Sequence, residues 1–228
     1  MSLLADIQQL TERAYHPTGV NFEEFLISRE RFRYLSQFDQ RSRELPDLAR
    51  VFFRIAAGRL YLGIYYSSDL IAALETHDPR TGLSEKNITA FRVFIEEINH
   101  AVHGALKFME GQTNIHGENF VRDLELQAKI DGYFLLKYFV AYFNRSRQLE
   151  QMDRLWLRHH LFECDDANYE SPALAGLYGE ALSLSEKYTR FVDGLPPHER
   201  LQECRRFRCL PYEMKKRYIR LLPGESRY

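Results

Sequence analysis

Four long segments with helical periodicity follow one another from residue 87 onward, and they constrain the fold more than any other feature. They run from Asn87 to Met109, from Phe120 to Asn144, from Gln148 to Phe162 and from Ser171 to about Val192. In each segment apolar side chains recur every three or four residues, the pattern of an amphipathic helix. The loop between the first two segments is about ten residues long, which allows these two helices to be antiparallel neighbours.

A β-hairpin is predicted before these helices. The segments Val51 to Ile55 and Leu60 to Tyr66 are rich in β-branched and aromatic residues. Gly58, in the loop between them, can adopt the positive φ of a tight turn. The predicted fold class is therefore α+β and mostly α: an N-terminal β-hairpin or small antiparallel sheet packed with five to six helices.

The length and composition predict one domain over residues 1–228 with three parts. These are a mixed α/β N-terminal part (1–86), a long-helix core (87–195) and basic C-terminal helices (196–228). Hydrophobic residues make up 45% of the chain and charged residues 28%, which is enough apolar material for a core and excludes global disorder.

The sequence also suggests where the protein works. It has no apolar run of the roughly 18 residues that a membrane span needs, and its first residues lack the apolar centre of a signal peptide. The three cysteines, Cys164, Cys204 and Cys209, are odd in number and do not form a Cys-x-x-Cys motif. We therefore expect a cytoplasmic protein with reduced thiols and no membrane association.

Basic residues are concentrated near the C-terminus. Residues 198–228 contain nine Lys or Arg and four Glu, whereas the whole chain has a net charge of −1. This segment lacks aromatic residues in a recognised nucleic-acid motif, so we expect it to dock on the more acidic remainder of the chain. Nucleic-acid binding is accordingly not expected, and the anticipated partner is another protein or a second copy of the chain.

Several enzyme classes lack their motifs here. The sequence contains no glycine-rich phosphate loop, no Gly-x-Ser-x-Gly and no His-Glu-x-x-His. Nucleotide-dependent enzymes, α/β-hydrolases and standard zinc peptidases therefore have no support.

One polar stripe in the first long helix is the main candidate for chemistry. Glu96, His100, His103 and Lys107 fall on one side of a helical wheel, opposite the apolar side chains. This spacing lets two or three side chains converge on one metal ion. Glu97 and His100 also have the Glu-x-x-His spacing of di-iron bundles, but a second copy of that motif is absent. The alternative is that the stripe is simply the solvent face of the helix.

The second long helix supplies the complementary groups. Gln127 and Asp131 lie one turn apart among apolar residues, and a buried carboxylate needs a cation, a metal or several hydrogen-bond donors. We predict that Glu96, His100 and His103 face them across the helix pair. The candidate catalytic residues are Glu96, His100 and Asp131, and the candidate metal ligands are Glu96, His100, His103, Gln127 and Asp131. A buried His–Asp pair that only fixes the helix register remains the alternative.

Other charged residues of the second helix have a simpler interpretation. Arg122, Glu125 and Lys129 share one edge at helical spacing. This spacing lets them pair with one another.

The order of these elements resembles an uncharacterised bacterial family, a domain of unknown function. In that family a hairpin precedes a Glu-x-x-x-His helix and a Leu-Glu-Leu-Gln…Asp helix. The similarity covers roughly residues 50 to 135 and falls on Glu96, His100, Leu124, Glu125, Gln127 and Asp131. Glu97 and Asn99 depart from the small residues of the family pattern. The resemblance implies which residues matter, but it brings no established activity.

Two function hypotheses follow. In the first, the protein is a hydrolase-like enzyme with a metal or acid–base site between two helices and a divalent metal as cofactor. His100 would be a ligand or general base, with Glu96 and Asp131 as ligands or orienting groups. In the second, it is a non-enzymatic protein-interaction or regulatory module. The aromatic-rich hairpin and the basic tail would then bind a partner, and the His–Asp pair would be structural.

Overall fold

The computed structural model describes residues 2–38, 45–115, 117–163 and 171–223. Within them it contains one two-stranded antiparallel sheet and nine α-helices, which confirms the mostly-α α+β class. The helices outnumber the five or six expected, chiefly because three short ones precede the long ones.

The chain order of the elements is as follows. The structure contains α1 (Leu3–Ala14), α2 (Arg29–Ser36), β1 (Ala49–Ala56), β2 (Arg59–Tyr66), α3 (Ser68–Thr76), α4 (Ile88–Met109), α5 (Glu118–Phe143), α6 (Gln151–Arg158), α7 (Pro172–Gly194), α8 (Pro197–Arg208) and α9 (Tyr212–Leu221). Short 3-10 turns lie at Phe22–Phe25 and Pro79–Thr81, and a π-helical turn at His159–Glu163 follows α6.

The predicted hairpin is present, with a tighter turn than expected. Ala56 pairs with Arg59, so only Ala57 and Gly58 form the connection. Both have positive φ, 48° and 69°, as a two-residue type I′ turn requires. This turn suits the twist of the strands and sets the register by which Arg54 lies opposite Tyr61.

The antiparallel pair α4–α5 is the centre of the molecule. One side of α4 enters the main core, where Phe91, Ile95 and Ile98 are fully buried against side chains from α1, α3, the hairpin and α5. On α5, Leu126 and Ile130 enter a second core with α7, α8 and α9. Helix α5 therefore contributes to both cores, and its polar residues meet elements that are distant in sequence.

The basic C-terminal segment docks on the rest of the chain. Arg205 donates from Nε to the carbonyl of Ala14 at 2.6 Å, which caps the last turn of α1. Arg208 pairs with Glu110, and Lys216 pairs with Glu180. These contacts agree with the docking that the charge distribution predicted.

The third long helix ends earlier than predicted. It stops at Arg158, and the next five residues form the π-helical turn. The carbonyl of His160 in this turn accepts a hydrogen bond from Nη1 of Arg92 on α4 at 2.9 Å. The turn is therefore tied to the long helix that carries the candidate site.

Two further observations bear on the expectations about location. None of the helices in the described residues is long and apolar enough to cross a membrane. Cys204 and Cys209 are free thiols, the first buried and the second exposed, while Cys164 lies outside the described residues.

Candidate functional site

The polar stripe of α4 is buried, so it is not a solvent face. His103 exposes 2% of its surface and Lys107 8%. The side chain of His100 exposes 11%. The covering elements are α5 and α9, and α5 turns its own polar residues towards the stripe. The polar groups form two separate sets.

The first set, the imidazole cluster, is built around His100. Its members are Glu96, Glu97, His100, Glu125 and Lys129. A carboxylate lies at each ring nitrogen of His100: Oε2 of Glu97 is 3.6 Å from Nδ1, and Oε2 of Glu125 is 3.6 Å from Nε2. Helix α4 supplies the first carboxylate and α5 the second, so the imidazole joins the two helices.

Glu96 lies at the edge of this cluster. Its Oε1 accepts a hydrogen bond from Nζ of Lys129 at 3.2 Å. Burial alone would raise the pKa of Glu96, but Lys129 and His100 outweigh burial and lower it. A small cavity of about 20 Å³ lies beside this pair. It is lined by Arg92, Glu96, Ala128, Lys129, Gly132, Leu161 and Phe162.

The second set, the lysine network, is deeper. Its members are Tyr15, His103, Lys107, Asp123, Gln127, Asp131 and Lys215. Asp123 is its centre: Oδ2 lies 3.3 Å from Nε2 of His103 and 3.3 Å from Nζ of Lys107. Oδ1 lies 2.7 Å from Nζ of Lys215, a side chain of α9 with no exposed surface. Together these contacts join α4, α5 and α9.

The network continues along α5 to α1. Lys215 donates to Oε1 of Gln127 at 2.9 Å. Nε2 of Gln127 lies 3.0 Å from Oδ1 of Asp131 and 3.0 Å from the hydroxyl of Tyr15. The hydroxyl of Tyr15 also donates to Asp131. The direct partners of Asp131 are thus uncharged donors, whereas Asp123 has cations.

The two histidines of α4 have opposite pKa shifts. Burial lowers the pKa of both. For His100 the carboxylates of Glu125 and Glu97 outweigh burial and raise the pKa well above its usual value. For His103 burial is reinforced by nearby lysines, and the pKa falls to about 3 despite Asp123. The shifts therefore favour the imidazolium form of His100 and the neutral form of His103.

The two buried aspartates also differ. Burial raises the pKa of Asp131 to about 6, because its hydrogen bonds from Tyr15 and Gln127 only partly offset the loss of water. Burial acts in the same direction on Asp123, but Lys215, with help from His103, outweighs it and holds the pKa well below the usual range.

The five residues predicted from the sequence are divided between these sets. Glu96 and His100 belong to the imidazole cluster, whereas His103, Gln127 and Asp131 belong to the lysine network. The contacts of His100 are with Glu97 and Glu125, not with Asp131. Across the described ranges, no group of three or more His, Cys, Asp or Glu residues is placed to hold a metal ion. The geometry therefore offers no ligand set for the predicted divalent metal.

The predicted pairing of Arg122, Glu125 and Lys129 with one another is not what the structure shows. Glu125 is buried against His100, and Lys129 pairs with Glu96. Arg122 instead pairs with Glu118 and with Glu180 of α7. The helical spacing was correct, but each of these residues meets a partner on a different element.

Sequence reasoning missed five members of the two sets: Tyr15, Asp123 and Lys215, together with Glu125 and Lys129 as partners of α4. Asp123 had a signal, because 123, 127 and 131 follow one line of an α-helix at four-residue spacing. No local sequence signal pointed to Tyr15 or Lys215, since these residues lie near opposite ends of the chain.

Comparisons of the chain with family models, with curated proteins and with solved structures found no match. The resemblance to an uncharacterised family therefore rests on its motif residues.

Proposed function

We propose that the protein is a hydrolase-like enzyme whose acid–base centre is the imidazole cluster. The observation that carries this proposal is the position of His100 between the carboxylates of Glu97 and Glu125. Strongly shifted proton affinities in a nearly buried group are typical of catalytic acids and bases. The proposal keeps Glu96 and His100 from the predicted catalytic set and replaces Asp131 with Glu125.

The roles follow from the charges. His100 carries a proton at neutral pH and is suited to donate it to a leaving group, while Glu97 and Glu125 orient the ring and stabilise its charge. Glu96 lies one helical turn before His100 and lines the small cavity with Arg92. The cavity has room for about one water molecule, which would meet the carboxylate of Glu96 and the cationic side chains of Arg92 and Lys129.

The test is hydrolysis of p-nitrophenyl carboxylic and phosphate esters by the wild-type protein and by His100→Gln. Loss of a general acid typically costs about 10²- to 10⁴-fold in rate, so we expect a fall of that size. His198→Gln is the control, because His198 is largely exposed and its ion-pair partner is its neighbour Glu199. Glu125→Gln should lower the pH at which activity is lost, since it removes a carboxylate that raises the pKa of His100.

A second function has its own supporting observation. His103, Asp123 and Lys215 join three helices through a buried hydrogen bond and a buried ion pair, which suits a structural pair in a non-enzymatic interaction or regulatory module. A wild-type protein that hydrolyses none of the esters, or a fully active His100→Gln variant, would contradict the enzymatic proposal and favour this second one.

A further inference from the structure

The outer face of the hairpin carries arginine and aromatic side chains that point away from the core. Alternation along β1 sends Val51, Phe53 and Ile55 towards the helices and sends Phe52 and Arg54 to the opposite face. The strand register places Arg54 directly opposite Tyr61, whose surface is 52% exposed.

Helix α2 covers only one end of this face. The ring of Phe32 stacks on Tyr65 with centroids 4.0 Å apart, and Arg50 is buried beside it. Towards the turn, Arg54, Arg59 and Tyr61 are exposed. The uncovered end is thus a basic and aromatic surface, which we call the hairpin face and define as Arg54, Arg59 and Tyr61.

The charge of the hairpin face is not neutralised within the described residues. Residues 29–66 contain eight arginines, no lysine and four acidic residues. Within the described ranges, no carboxylate lies within ion-pair distance of Arg54 or Arg59. By contrast, Lys215, Lys216 and Arg208 of the C-terminal segment are all paired with acids. Five of the eight cations in the described part of the C-terminal segment thus pair with acids, whereas neither exposed arginine at the hairpin turn does within the described ranges.

We propose that the hairpin face binds single-stranded nucleic acid. Guanidinium groups match phosphate oxygens with two parallel hydrogen bonds. Exposed aromatic rings on a β-sheet provide the stacking surface for unpaired bases. Arg54 and Tyr61, side by side across the strands, offer one of each. This proposal is independent of the acid–base centre, and it departs from the expectation that nucleic acid is not a partner.

The test is fluorescence anisotropy with a labelled oligouridylate of about 12 nucleotides, a length within the range that such surfaces cover. We expect binding by the wild-type protein that weakens as the salt concentration rises. Arg54→Ala/Arg59→Ala should weaken binding and reduce the slope of log affinity against log salt by about 1.4, since each phosphate contact contributes about 0.7. Tyr61→Ala should lower affinity by about 10-fold with the slope unchanged, because stacking is not a charge effect.

The matched control is Arg217→Ala/Arg220→Ala, which removes the same charge from the exposed side of α9. Its affinity should equal that of the wild type. Circular dichroism and thermal unfolding establish that each variant is folded. Absence of binding at low salt, or equal losses in both double variants, would overturn the proposal. Stronger binding of polyglutamate than of the oligouridylate would also overturn it and indicate an acidic protein partner.

Discussion

His100 and His103 lie on the same helix, less than one turn apart, yet their environments act in opposite directions. His100 lies between two carboxylates and retains a proton, whereas His103 lies beside a carboxylate that lysines have already neutralised. Both side chains are nearly or fully buried, so exposure does not explain the difference. The net charge of the partner residues explains the difference, because in a medium of low dielectric constant the pKa of an imidazole depends on the sum of the nearby charges.

The comparison also separates two uses of buried polarity. The imidazole cluster holds its charge at the edge of the fold, beside a small cavity. The lysine network is deeper and links three helices to α1. If this division is correct, variants in the network should affect stability most, and variants in the cluster should affect the response to pH.

The largest effect is expected from Lys215→Met. The change removes a cation from Asp123 and leaves the buried carboxylate less compensated, which typically costs about 3–5 kcal/mol. Urea unfolding measures the free energy directly. Lys216→Met, next to it in sequence but partly exposed and paired with Glu180, should cost less than about 1 kcal/mol. Equal losses in the free energy of unfolding would show that the buried ion pair of Lys215 contributes no more to stability than the partly exposed pair of Lys216.

A smaller effect, dependent on pH, is expected from Asp131→Asn. The pKa of Asp131 is raised to about 6, so the native state holds a proton that the unfolded chain releases near pH 4. Its contribution to the free energy of unfolding is present below about pH 4 and is lost as the pH rises through 6. Relative to wild type, Asp131→Asn should therefore gain up to about 3 kcal/mol between pH 4 and pH 8. If the difference in free energy of unfolding between variant and wild type stays constant from pH 4 to pH 8, the raised pKa of Asp131 is contradicted.

His103→Gln should gain relative stability in acid. His103 is neutral in the native state, with a pKa of about 3, while in the unfolded chain it takes up a proton below about pH 6.5. The contribution of the neutral imidazole to the free energy of unfolding is present above pH 6.5 and is lost as the pH falls. Relative to wild type the variant should therefore gain about 2 kcal/mol between pH 7 and pH 5. Unfolding curves at both pH values provide the measurement.

His100→Gln should show the opposite sign, which tests the comparison itself. The raised pKa of His100 means that its stabilising contribution is present below about pH 6.5 and is lost as the pH rises through the raised value. The variant should lose more stability relative to wild type at pH 5 than at pH 9. In NMR titrations the ring of His100 should still carry its proton at pH 7.5, when that of His103 does not. Parallel titration of the two rings would refute the assignment of opposite environments.

Much of the fold could be predicted because it depends on local patterns. The apolar period predicts α4 and α5 to within one or two residues, and Gly58 with its flanking strands predicts the hairpin. Ser67 caps α3 through its hydroxyl, as a serine before an amphipathic segment suggests. The same period identified the polar stripe of α4.

The pairings within the site could not be predicted in this way. A helical wheel states which side chains share a face, but it does not state which neighbour covers that face. The ion pair between Asp123 and Lys215 spans 92 positions, and the hydrogen bond between Tyr15 and Asp131 spans 116. No local pattern carries information over such distances.

The sequence by itself determined the helical segments, the hairpin and the polar residues that α4 and α5 had to bury. Those properties follow from side-chain periodicity and from turn chemistry, which act between near neighbours. Only the tertiary structure decided that His100 meets two carboxylates and that His103 meets a neutralised one. The packing of α5 against α4 places Glu125 beside His100, and the docking of α9 places Lys215 near His103. In a buried site the sum of these charges determines which imidazole keeps its proton.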